Sequence, residues 1–237
     1  MIIFMWSGPR NLSTALMRSF ENRNDSKVYD EPFYAYYLKR TKLNHPMREE
    51  IINHYSTNPY DIIKNIDSTI PNNKKIWYQK HMAHHLINID ELSWIKKLKN
   101  CILIRNPKYV INSYIKKNKL NNISDLGYPQ QFEIVKFLKK EKIKFYIIDS
   151  DDLLYNPEKI LSDWCKHLNI NFDKKMLSWP KGSHKNDGIW GKHWYKNINN
   201  SEKFLQKEKK SSNDYKKFES IYNDAVYYYK KIYNMNI

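Results

Sequence analysis

The chain has 237 residues, a formal net charge of +16 at pH 7, and 15% aromatic residues. This length suits one domain with a full hydrophobic core, so we predict a single domain over residues 1–237. No run approaches the ~18 apolar residues of a membrane span, and the first residues lack the basic and apolar segments of a signal peptide, so we expect no membrane partner.

The charge by itself permits nucleic-acid binding, but the lysines are scattered along the chain. A basic surface of this kind attracts small polyanions such as nucleotides, and we predict no nucleic-acid partner. The two cysteines, Cys101 and Cys165, lie in apolar segments, which is typical of reduced core residues and of a cytoplasmic protein. The sequence leaves a homo-oligomer open.

The first 20 residues, MIIFMWSGPRNLSTALMRSF, predict a buried strand, a polar loop and an amphipathic helix. This geometry aims backbone N–H groups and the positive end of a helix dipole at an anion. Arg10 would add a guanidinium, and two hydroxyl residues would add further donors. We therefore predict a phosphate-binding loop made of Gly8, Pro9, Arg10, Asn11, Leu12, Ser13 and Thr14. The loop lacks the second Gly and the Lys of a nucleotide P-loop, and an ordinary capped helix is the alternative.

An acidic pair, Asp30 and Glu31, follows the next short strand. Pro32 suits the first turn of a helix over residues 33–40. Asp30 is therefore expected to cap that helix, which would leave Glu31 for chemistry.

The segment IWYQK, residues 76–80, predicts another strand, and Lys80 at its end suits contact with an anion. Three of the eight histidines follow at positions 81, 84 and 85. Histidine is the natural general base near neutral pH, so His81 and His84 are candidates for catalysis, with surface histidines as the alternative. No nearby Cys or carboxylate completes a zinc site, and we predict no metal.

A helix is predicted over residues 89–98 and a buried strand over residues 100–104. Arg105 follows directly at the carboxyl end of that strand. Pro107 suits the first turn of the next helix, which carries Ser113. Ligands bind outside the carboxyl ends of strands in open α/β sheets, so Arg105 and Ser113 are expected to converge on one ligand. The alternative is an arginine that caps a helix near a surface serine.

Helical patterns over residues 129–141 and 157–168 flank a further strand that ends at Asp149. Four apolar strands thus alternate with helices. This order predicts an α/β fold, in which helices flank a parallel central sheet through right-handed crossovers. The stretch from Tyr215 to Ile232 has the apolar spacing of a docking helix.

Residues 181–195 are basic, aromatic and punctuated by glycine. Cations suit phosphate groups and an aromatic face suits a nucleobase, so we expect Gly188, Trp190 and Lys192 to help close over a nucleotide. A solvated loop has a similar composition and is the alternative.

Four segments, in order along the chain, resemble those of sulfotransferases that use 3′-phosphoadenosine 5′-phosphosulfate (PAPS). Residues 8–14 resemble the loop that binds the 5′-phosphosulfate. The most specific likeness is the Arg-Asn-Pro of residues 105–107 with Ser113, which resembles the 3′-phosphate motif, spacing included. The strand that ends at Asp149, with the helix after it, and residues 181–195 resemble the remaining two segments.

The resemblance implies a P-loop-like sulfotransferase architecture. It also implies transfer of a sulfuryl group from PAPS to a hydroxyl or amine of a small acceptor, with 3′-phosphoadenosine 5′-phosphate (PAP) as the product. Arg10, with the loop N–H groups and hydroxyls, would hold the leaving 5′-phosphate. Many members of the family carry lysine where this loop has Arg10, and Lys80 would then share that role.

The general base differs between branches of the family. Some branches use a histidine after the second strand, which points to His81 or His84. Others use a glutamate after the first helix, which points to Glu31, and we favour Glu31 because its element follows the loop directly.

Two other classes of protein stay open. A P-loop-type nucleotide kinase is one, because Asp149 after an apolar strand imitates the aspartate that binds magnesium in such enzymes, although the loop lacks the lysine. A non-enzymatic nucleic-acid-binding module is the other, because of the charge of +16 and the aromatic content. Magnesium dependence identifies the first, and steep salt dependence identifies the second.

Overall fold

A five-stranded parallel sheet forms the centre of the computed structural model, which describes residues 1–87, 91–204 and 212–235. The strands are β1 (Ile2–Ser7), β2 (Ser26–Asp30), β3 (Ile76–Met82), β4 (Lys99–Ile104) and β5 (Phe145–Asp149). They lie in the order β2-β3-β1-β4-β5, and every neighbouring pair is parallel. The predicted fold class is confirmed.

Helices connect these strands and cover both faces of the sheet. The helices predicted over residues 33–40, 129–141 and 157–168 are confirmed to within one residue at each end. The helices of the described ranges are α1 (Ser13–Glu21), α2 (Tyr34–Thr41), α3 (Arg48–His54), α4 (Pro59–Ile66), α5 (Pro107–Tyr114), α6 (Tyr128–Lys140), α7 (Ser150–Tyr155), α8 (Pro157–Leu168), α9 (Gly191–Trp194), α10 (Lys196–Asn199) and α11 (Glu219–Tyr233).

The helix predicted over residues 89–98 is wrong for its described part, residues 91–98. One 3-10 turn, Ser93–Ile95, lies there instead, and residues 88–90 lie outside the described residues. The Glu91 carboxylate accepts the Ser93 N–H at 2.6 Å, and Trp94 Nε1 donates to the Glu91 carbonyl at 3.0 Å. Local bonds of this kind compete with helical ones.

Apolar side chains cover both faces of the sheet, as is usual for buried parallel strands. On one face Tyr78 of β3 packs against Phe20 of α1, with ring centroids 4.6 Å apart, and Phe20 packs against Trp164 of α8 at 4.9 Å. On the other face Trp6 of β1 lies in a cluster with residues of α6. Both cysteines are buried and free, and Trp164 Nε1 donates to Cys101 Sγ at 3.0 Å.

Lys80 and His81 leave β3 on opposite faces of the sheet, because side chains alternate along a strand. Lys80 shares a face with α1, where its Nζ lies 3.2 Å from Thr14 Oγ1. His81 lies on the other face, with its ring centroid 4.3 Å from that of Phe4 and 4.6 Å from that of Trp6. Only one of these two neighbours therefore reaches the loop after β1.

The carboxyl ends of four strands meet at one edge of the sheet. Ser7 of β1 is level with Met82 of β3 and with Leu103 of β4, and Asp30 of β2 is level with Lys80. The loops that follow these strands therefore surround the N-terminus of α1, where open α/β sheets bind their ligands.

Helix α11 packs against α5 and α6, so the predicted docking helix is confirmed from Glu219 onward, whereas Asp214–Phe218 form a 3-10 turn. Ala225 and Ile232 are fully buried at this contact. The Tyr229 hydroxyl donates to Asp149 Oδ2 at 2.6 Å. This hydrogen bond links α11 to the carboxyl end of β5.

Candidate phosphate-binding and catalytic site

The loop between β1 and α1, residues 8–12, lies tightly against the turn before α6. A Cβ on Gly8 would lie 2.3 Å from the Leu126 carbonyl oxygen, so this position has room only for glycine. Arg10 and Leu12 both have a φ of 65°, in the left-handed region. Left-handed residues cost about 1–2 kcal/mol each, and they turn neighbouring N–H groups toward a common side, as in anion-binding nests.

Two hydrogen bonds hold the centre of this loop against the sheet. Asn11 Nδ2 donates to the Leu103 carbonyl of β4 at 3.1 Å, and Ser150 Oγ donates to the Asn11 carbonyl at 2.6 Å. The side chain of Asn11 therefore fixes the shape of the loop.

Helix α1 begins without a side-chain cap, and its first turn contains no acidic residue. The first helical hydrogen bond runs from the Leu16 N–H to the Leu12 carbonyl at 3.2 Å. The N–H groups of Ser13, Thr14 and Ala15 come before it and have no carbonyl partner within the helix. Together with the helix dipole, these groups favour an anion at the edge of the sheet.

Two arginines meet beside this loop. Arg10 Nε donates to Ser113 Oγ on α5 at 2.8 Å, and Arg105 Nη1 donates to the Arg10 carbonyl at 3.1 Å. Arg105 Nε also lies 3.7 Å from Asp151 Oδ1. Burial lowers the pKa of Arg10, and the charge of Arg105 lowers it further. The structure thus brings Arg10, Arg105 and Ser113 together, and an anion among them would relieve the repulsion of like charges.

A second charged group lies on the other side of the α1 N-terminus, at the ends of β2 and β3. Lys80 Nζ lies 2.8 Å from Asp30 Oδ1, 2.7 Å from Glu31 Oε1 and 2.5 Å from the Tyr195 hydroxyl. Burial alone would lower the pKa of Lys80, but Asp30, Glu31 and Tyr195 hold it well above the usual value. Lys80 is therefore a buried cation within hydrogen-bonding distance of Thr14.

The prediction that Asp30 caps α2 is wrong. Helix α2 begins at Tyr34, with Phe33 as its N-cap. The Asp30 carboxylate instead accepts the Tyr195 hydroxyl at 2.7 Å and the Gly188 N–H at 3.0 Å. These partners lie far along the chain, so the local pattern of residues could not reveal them.

Glu31 is the more open of the two carboxylates, with 12% of its side chain exposed against 1% for Asp30. Its φ is 41°, and its N–H donates to the Lys80 carbonyl at 2.9 Å. Desolvation raises the pKa of Glu31, while the Lys80 charge opposes this and the Asp30 charge adds to it. A raised pKa makes the ionised carboxylate a stronger proton acceptor.

The candidate histidines differ in where they lie. His81 is buried on the opposite face of the sheet, with Nε2 3.2 Å from Gln79 Oε1, so the structure does not bring it to the loop. His84 lies nearer, because a Cβ on Gly127 would be 3.6 Å from both His84 Nδ1 and Pro9 Cδ. Burial lowers the pKa of each of the two histidines to about 3. Such an imidazole is a weak base at neutral pH.

The segment around α9 folds back against the end of β2. Trp190 is 1% exposed, and its ring centroid lies 5.0 Å from that of Tyr34 and 5.2 Å from that of Tyr55. A Cβ on Gly188 would lie 2.1 Å from the Trp190 ring, so the ring packs directly on the glycine. Trp190 therefore offers no free face to a nucleobase, contrary to the sequence prediction. Lys192 is exposed on α9.

A buried ion pair, which the sequence analysis missed, holds this segment on α1. Arg18 Nη1 lies 2.6 Å from Asp187 Oδ1 and 3.2 Å from Glu21 Oε2, and Nη2 donates to Asn199 Oδ1 at 3.3 Å. The available signal was a charged residue within the apolar pattern of α1. Tyr195 was also missed, because its partner Asp30 lies 165 positions away.

Within the described residues, no helix is both long and apolar enough to cross a membrane. In the same ranges no cluster of three His, Cys, Asp or Glu side chains is arranged to hold a metal ion. His85 lies instead between two tyrosines, with ring centroids 5.0 Å from Tyr34 and 4.6 Å from Tyr37.

Comparison with known proteins identifies one family. The family model described as "Sulfotransferase domain" matches residues 1–234. Two Arabidopsis thaliana proteins, named branched-chain-amino-acid aminotransferase-like protein 1 and 2, are 34% and 33% identical over 208 residues, or 88% of this chain. The chain is similar to only part of these relatives, since the match spans 37% of each.

Two solved structures share the fold. The sulfotransferase domain from the curacin biosynthetic pathway has a TM-score of 0.51 and 17% identity, and the match covers 79% of this chain and 80% of that one. A sulfotransferase from Alicyclobacillus acidocaldarius has a TM-score of 0.52 and 8% identity, with 99% and 96% covered. Because the family model matches nearly the whole sequence, this chain belongs to the sulfotransferase domain family.

Proposed function

We propose that this chain transfers the sulfuryl group of PAPS to a hydroxyl or amine of a small acceptor. The observation that carries the proposal is that two groups suited to bind an anion lie at one edge of the sheet. One is the uncapped N-terminus of α1, and the other consists of Arg10, Arg105 and Ser113. A donor with a 3′-phosphate and a 5′-phosphosulfate needs two such groups. Membership of the sulfotransferase domain family supports the same donor.

In this proposal the two ends of the donor bind to different elements. The N–H groups of residues 10–14 and the hydroxyls of Ser13 and Thr14 hold the 5′ end, and Arg105 with Ser113 holds the 3′-phosphate. When bound, PAPS would supply the sulfuryl group and leave PAP behind. Lys80, whose Nζ lies 3.2 Å from Thr14 Oγ1, stabilises negative charge at the 5′ end. Alignment and charge stabilisation are also the main demands of phosphoryl transfer.

Glu31 is the proposed general base. It takes the proton of the acceptor hydroxyl or amine as the acceptor oxygen or nitrogen attacks the sulfur. Desolvation raises the pKa of Glu31, which strengthens the base, and Lys80 Nζ at 2.7 Å keeps the carboxylate in place. His84, with a pKa of about 3, accepts a proton less readily.

The kinase alternative gains nothing from Asp149. Its carboxylate accepts the Tyr229 hydroxyl at 2.6 Å and the Asp151 N–H at 2.7 Å, which makes Asp149 the N-cap of α7. These two bonds account for the carboxylate within the fold. Asp149 therefore gives no support to a nucleotide kinase, and the following test distinguishes a kinase from a sulfotransferase.

Calorimetric titration and thermal unfolding with PAP and with ATP, each with and without magnesium, test the donor. We expect PAP to bind without magnesium and to raise the unfolding temperature, because a ligand at 100 times its Kd stabilises by about 2.7 kcal/mol. A preference for magnesium-ATP would favour a kinase. A response to neither nucleotide would contradict the proposal, and tight RNA or DNA binding that weakens steeply with salt would favour the nucleic-acid module.

The base is tested by PAP release from PAPS, with phenol and small alcohols and amines as acceptor probes. Glu31→Gln should slow the release by about 10²–10⁴-fold without changing PAP affinity. His84→Asn is the matched variant and should keep most of the rate. The reverse result would assign the base to His84, and no release with any probe would contradict sulfuryl transfer.

A further inference from the structure

The ammonium group of Lys80 has more oxygen neighbours than hydrogens to donate. Among the described residues, four place a side-chain oxygen within 3.2 Å of its Nζ atom. They are Asp30 at 2.8 Å, Glu31 at 2.7 Å, Tyr195 at 2.5 Å and Thr14 at 3.2 Å. An ammonium carries three N–H groups. Two of the four oxygens must therefore compete for one hydrogen.

Two of the three N–H groups are fixed on the buried side of the lysine. Tyr195 donates its single hydroxyl hydrogen to the Asp30 carboxylate at 2.7 Å, so its oxygen accepts from Lys80. The Asp30 carboxylate accepts a second N–H of Lys80 at 2.8 Å and also the Gly188 N–H at 3.0 Å. Both partners of the lysine are buried, so breaking either bond would leave a buried polar group without a partner.

The third N–H of Lys80 is left for Glu31 and Thr14. Glu31 is the proposed base, and Thr14 lies in the first turn of α1, where the 5′ end of the donor is proposed to bind. Among the described residues, Lys80 is the only cation within ion-pair distance of Glu31. An anion that takes this N–H therefore takes it from the base.

The geometry of sulfuryl transfer puts such an anion beside Lys80. In an in-line transfer the attacking atom and the leaving oxygen lie on opposite sides of the sulfur. The base must be near the attacking atom, and the N-terminus of α1 would hold the leaving phosphate. Lys80 Nζ is close to both Glu31 and Thr14, so it is level with the sulfuryl group that moves between them.

We infer that the sulfuryl group of the bound donor takes the third N–H of Lys80 from Glu31, so that the general base is released only when the donor is in place. This inference rests on the proposed function, because it takes PAPS as the donor and Glu31 as the base. The released carboxylate accepts the proton of the acceptor as the acceptor oxygen or nitrogen bonds to sulfur. The bond from sulfur to the phosphate oxygen breaks, and its electron pair stays on the phosphate.

The exchange changes the charges that face Glu31. In the ligand-free protein desolvation raises the pKa of Glu31, the Lys80 charge lowers it and the Asp30 charge raises it. Tyr195 and Tyr34 also face this carboxylate, and burial raises the pKa of both hydroxyls, so they stay neutral. Loss of the Lys80 bond and the arrival of a negative sulfuryl group both raise the pKa of Glu31 further. PAPS binding should therefore take up protons between the two pKa values of Glu31.

Calorimetry without acceptor measures this uptake, with PAPS titrated from about pH 4 to pH 8 in buffers of different ionisation enthalpy. A rise of about one unit in the pKa of Glu31 gives an uptake of about half a proton midway between the two values. The same titration of Glu31→Gln removes the proton changes of the nucleotide phosphates. PAP lacks only the sulfuryl group and should give a much smaller difference between the two proteins.

Affinity gives a second measure of the same exchange. Above both pKa values, Glu31→Gln should bind PAPS about tenfold more tightly than the wild type, because no carboxylate competes for Lys80. The two proteins should bind PAP equally.

Two further variants test which group takes the proton and why. His84→Asn should keep the whole uptake. Tyr195→Phe should reduce it, because Lys80 then has a free N–H and can donate to Glu31 and to the donor together. Tyr195 is thus a positioning residue that acts through Lys80. Thermal unfolding without ligand shows that each variant is folded.

The outcomes separate the inference from the proposed function. If PAPS binding takes up no more protons in the wild type than in Glu31→Gln, or if PAP gives the same difference as PAPS, the inference is wrong but the donor stands. Loss of the uptake in His84→Asn, or an unchanged uptake in Tyr195→Phe, would also contradict it. If the wild type binds neither PAPS nor PAP, the proposed donor itself is wrong.

Discussion

Two groups of charged residues flank the N-terminus of α1, and they differ in how their charges are balanced. We call them the lysine group (Asp30, Glu31, Lys80 and Tyr195) and the arginine group (Arg10, Arg105 and Ser113). In the lysine group the ammonium has two carboxylates within 2.8 Å, and Lys80 and Asp30 are each 1% exposed. In the arginine group Arg105 lies 3.7 Å from the Asp151 carboxylate, and among the described residues no carboxylate lies within ion-pair distance of Arg10.

This difference indicates that the lysine group mainly stabilises the fold and that the arginine group mainly binds a ligand. Buried charges that are paired within the protein contribute to stability mainly through the penalty for breaking them. Charges without a full set of partners are available to an external anion and cost little to remove. We therefore expect substitutions of Lys80, Asp30 and Tyr195 to lower the free energy of unfolding, and substitutions in the arginine group mainly to weaken ligand binding.

Removal of the central cation should give the largest effect. Lys80→Met leaves the carboxylates of Asp30 and Glu31 buried without their cation, and breaking such a pair costs about 3–5 kcal/mol of unfolding free energy. Urea unfolding at neutral pH measures the loss. Lys99→Met, at the exposed amino end of β4, is the matched control and should change stability by less than about 0.5 kcal/mol. A loss below about 1 kcal/mol for Lys80→Met would show that the lysine group is not a stabilising network.

Two glycines test the packing of the two sides at once. Gly188→Ala would put its Cβ 2.1 Å from the Trp190 ring, and Gly8→Ala would put its Cβ 2.3 Å from the Leu126 carbonyl. Overpacking of this kind costs about 1–3 kcal/mol, so both variants should be less stable than the wild type in urea.

Ligand binding separates these two glycine variants. Only Gly8→Ala should also weaken PAP binding, because it deforms the loop whose N–H groups are proposed to bind the donor. Gly182→Ala is the control, since a Cβ there meets no atom within 4 Å and its cost is the strain of a φ of 104° alone. A loss of PAP affinity in Gly188→Ala as large as in Gly8→Ala would contradict the division between the two sides.

The pH dependence of activity tests Glu31. Desolvation raises its pKa above 4.5, and the base must be ionised, so kcat/KM for PAP release should rise with pH up to that raised pKa. The expected slope below the pKa is about tenfold per pH unit. Glu31→Gln should remove this limb, and a limb that persists in Glu31→Gln would mean that another group is the base.

Stability should respond to pH with the opposite sign. A carboxyl whose pKa is raised on folding contributes stability below its unfolded pKa of 4.5, and this contribution is lost as the pH rises through the folded pKa. We would measure the unfolding free energies of the wild type and of Glu31→Gln from about pH 4 to pH 8. The stability of the variant relative to the wild type should increase as the pH rises. A constant difference would mean that the carboxyl is not desolvated.

The arginine group could be predicted from the sequence more fully than the lysine group. Gly8 before a helical pattern and Arg105 at the end of an apolar strand are local signals, and the alternation of strands and helices brings both to the same edge of the sheet. The hydrogen bond between Arg10 and Ser113 was not predicted, because the sequence pattern associated Ser113 with Arg105 alone. The parallel sheet itself followed from the order of the apolar segments.

The lysine group depends on contacts between distant parts of the chain. Asp30 binds Lys80 from 50 positions away, Gly188 from 158 and Tyr195 from 165. An acidic residue two positions before a proline has the local pattern of a helix cap, so the sequence did not indicate this long-range role. Trp190 was misjudged for a related reason, since composition shows that an aromatic ring is present but not which of its faces is covered.

Removing one hydroxyl from each side gives the closest match between the two groups, and the smallest expected effect on stability is that of Ser113→Ala. Ser113→Ala removes an acceptor from a guanidinium that keeps part of its hydration, so we expect the unfolding free energy to fall by less than about 1 kcal/mol. Tyr195→Phe removes the hydroxyl that donates to Asp30 Oδ2 at 2.7 Å in a buried site, and the expected loss is about 1.5–3 kcal/mol. PAP titration should give the reverse order, with a clear loss of affinity for Ser113→Ala and little change for Tyr195→Phe. Equal losses of stability in the two variants would show that Ser113 also stabilises the fold. A hydroxyl whose role is to bind a ligand contributes little to the stability of the ligand-free protein.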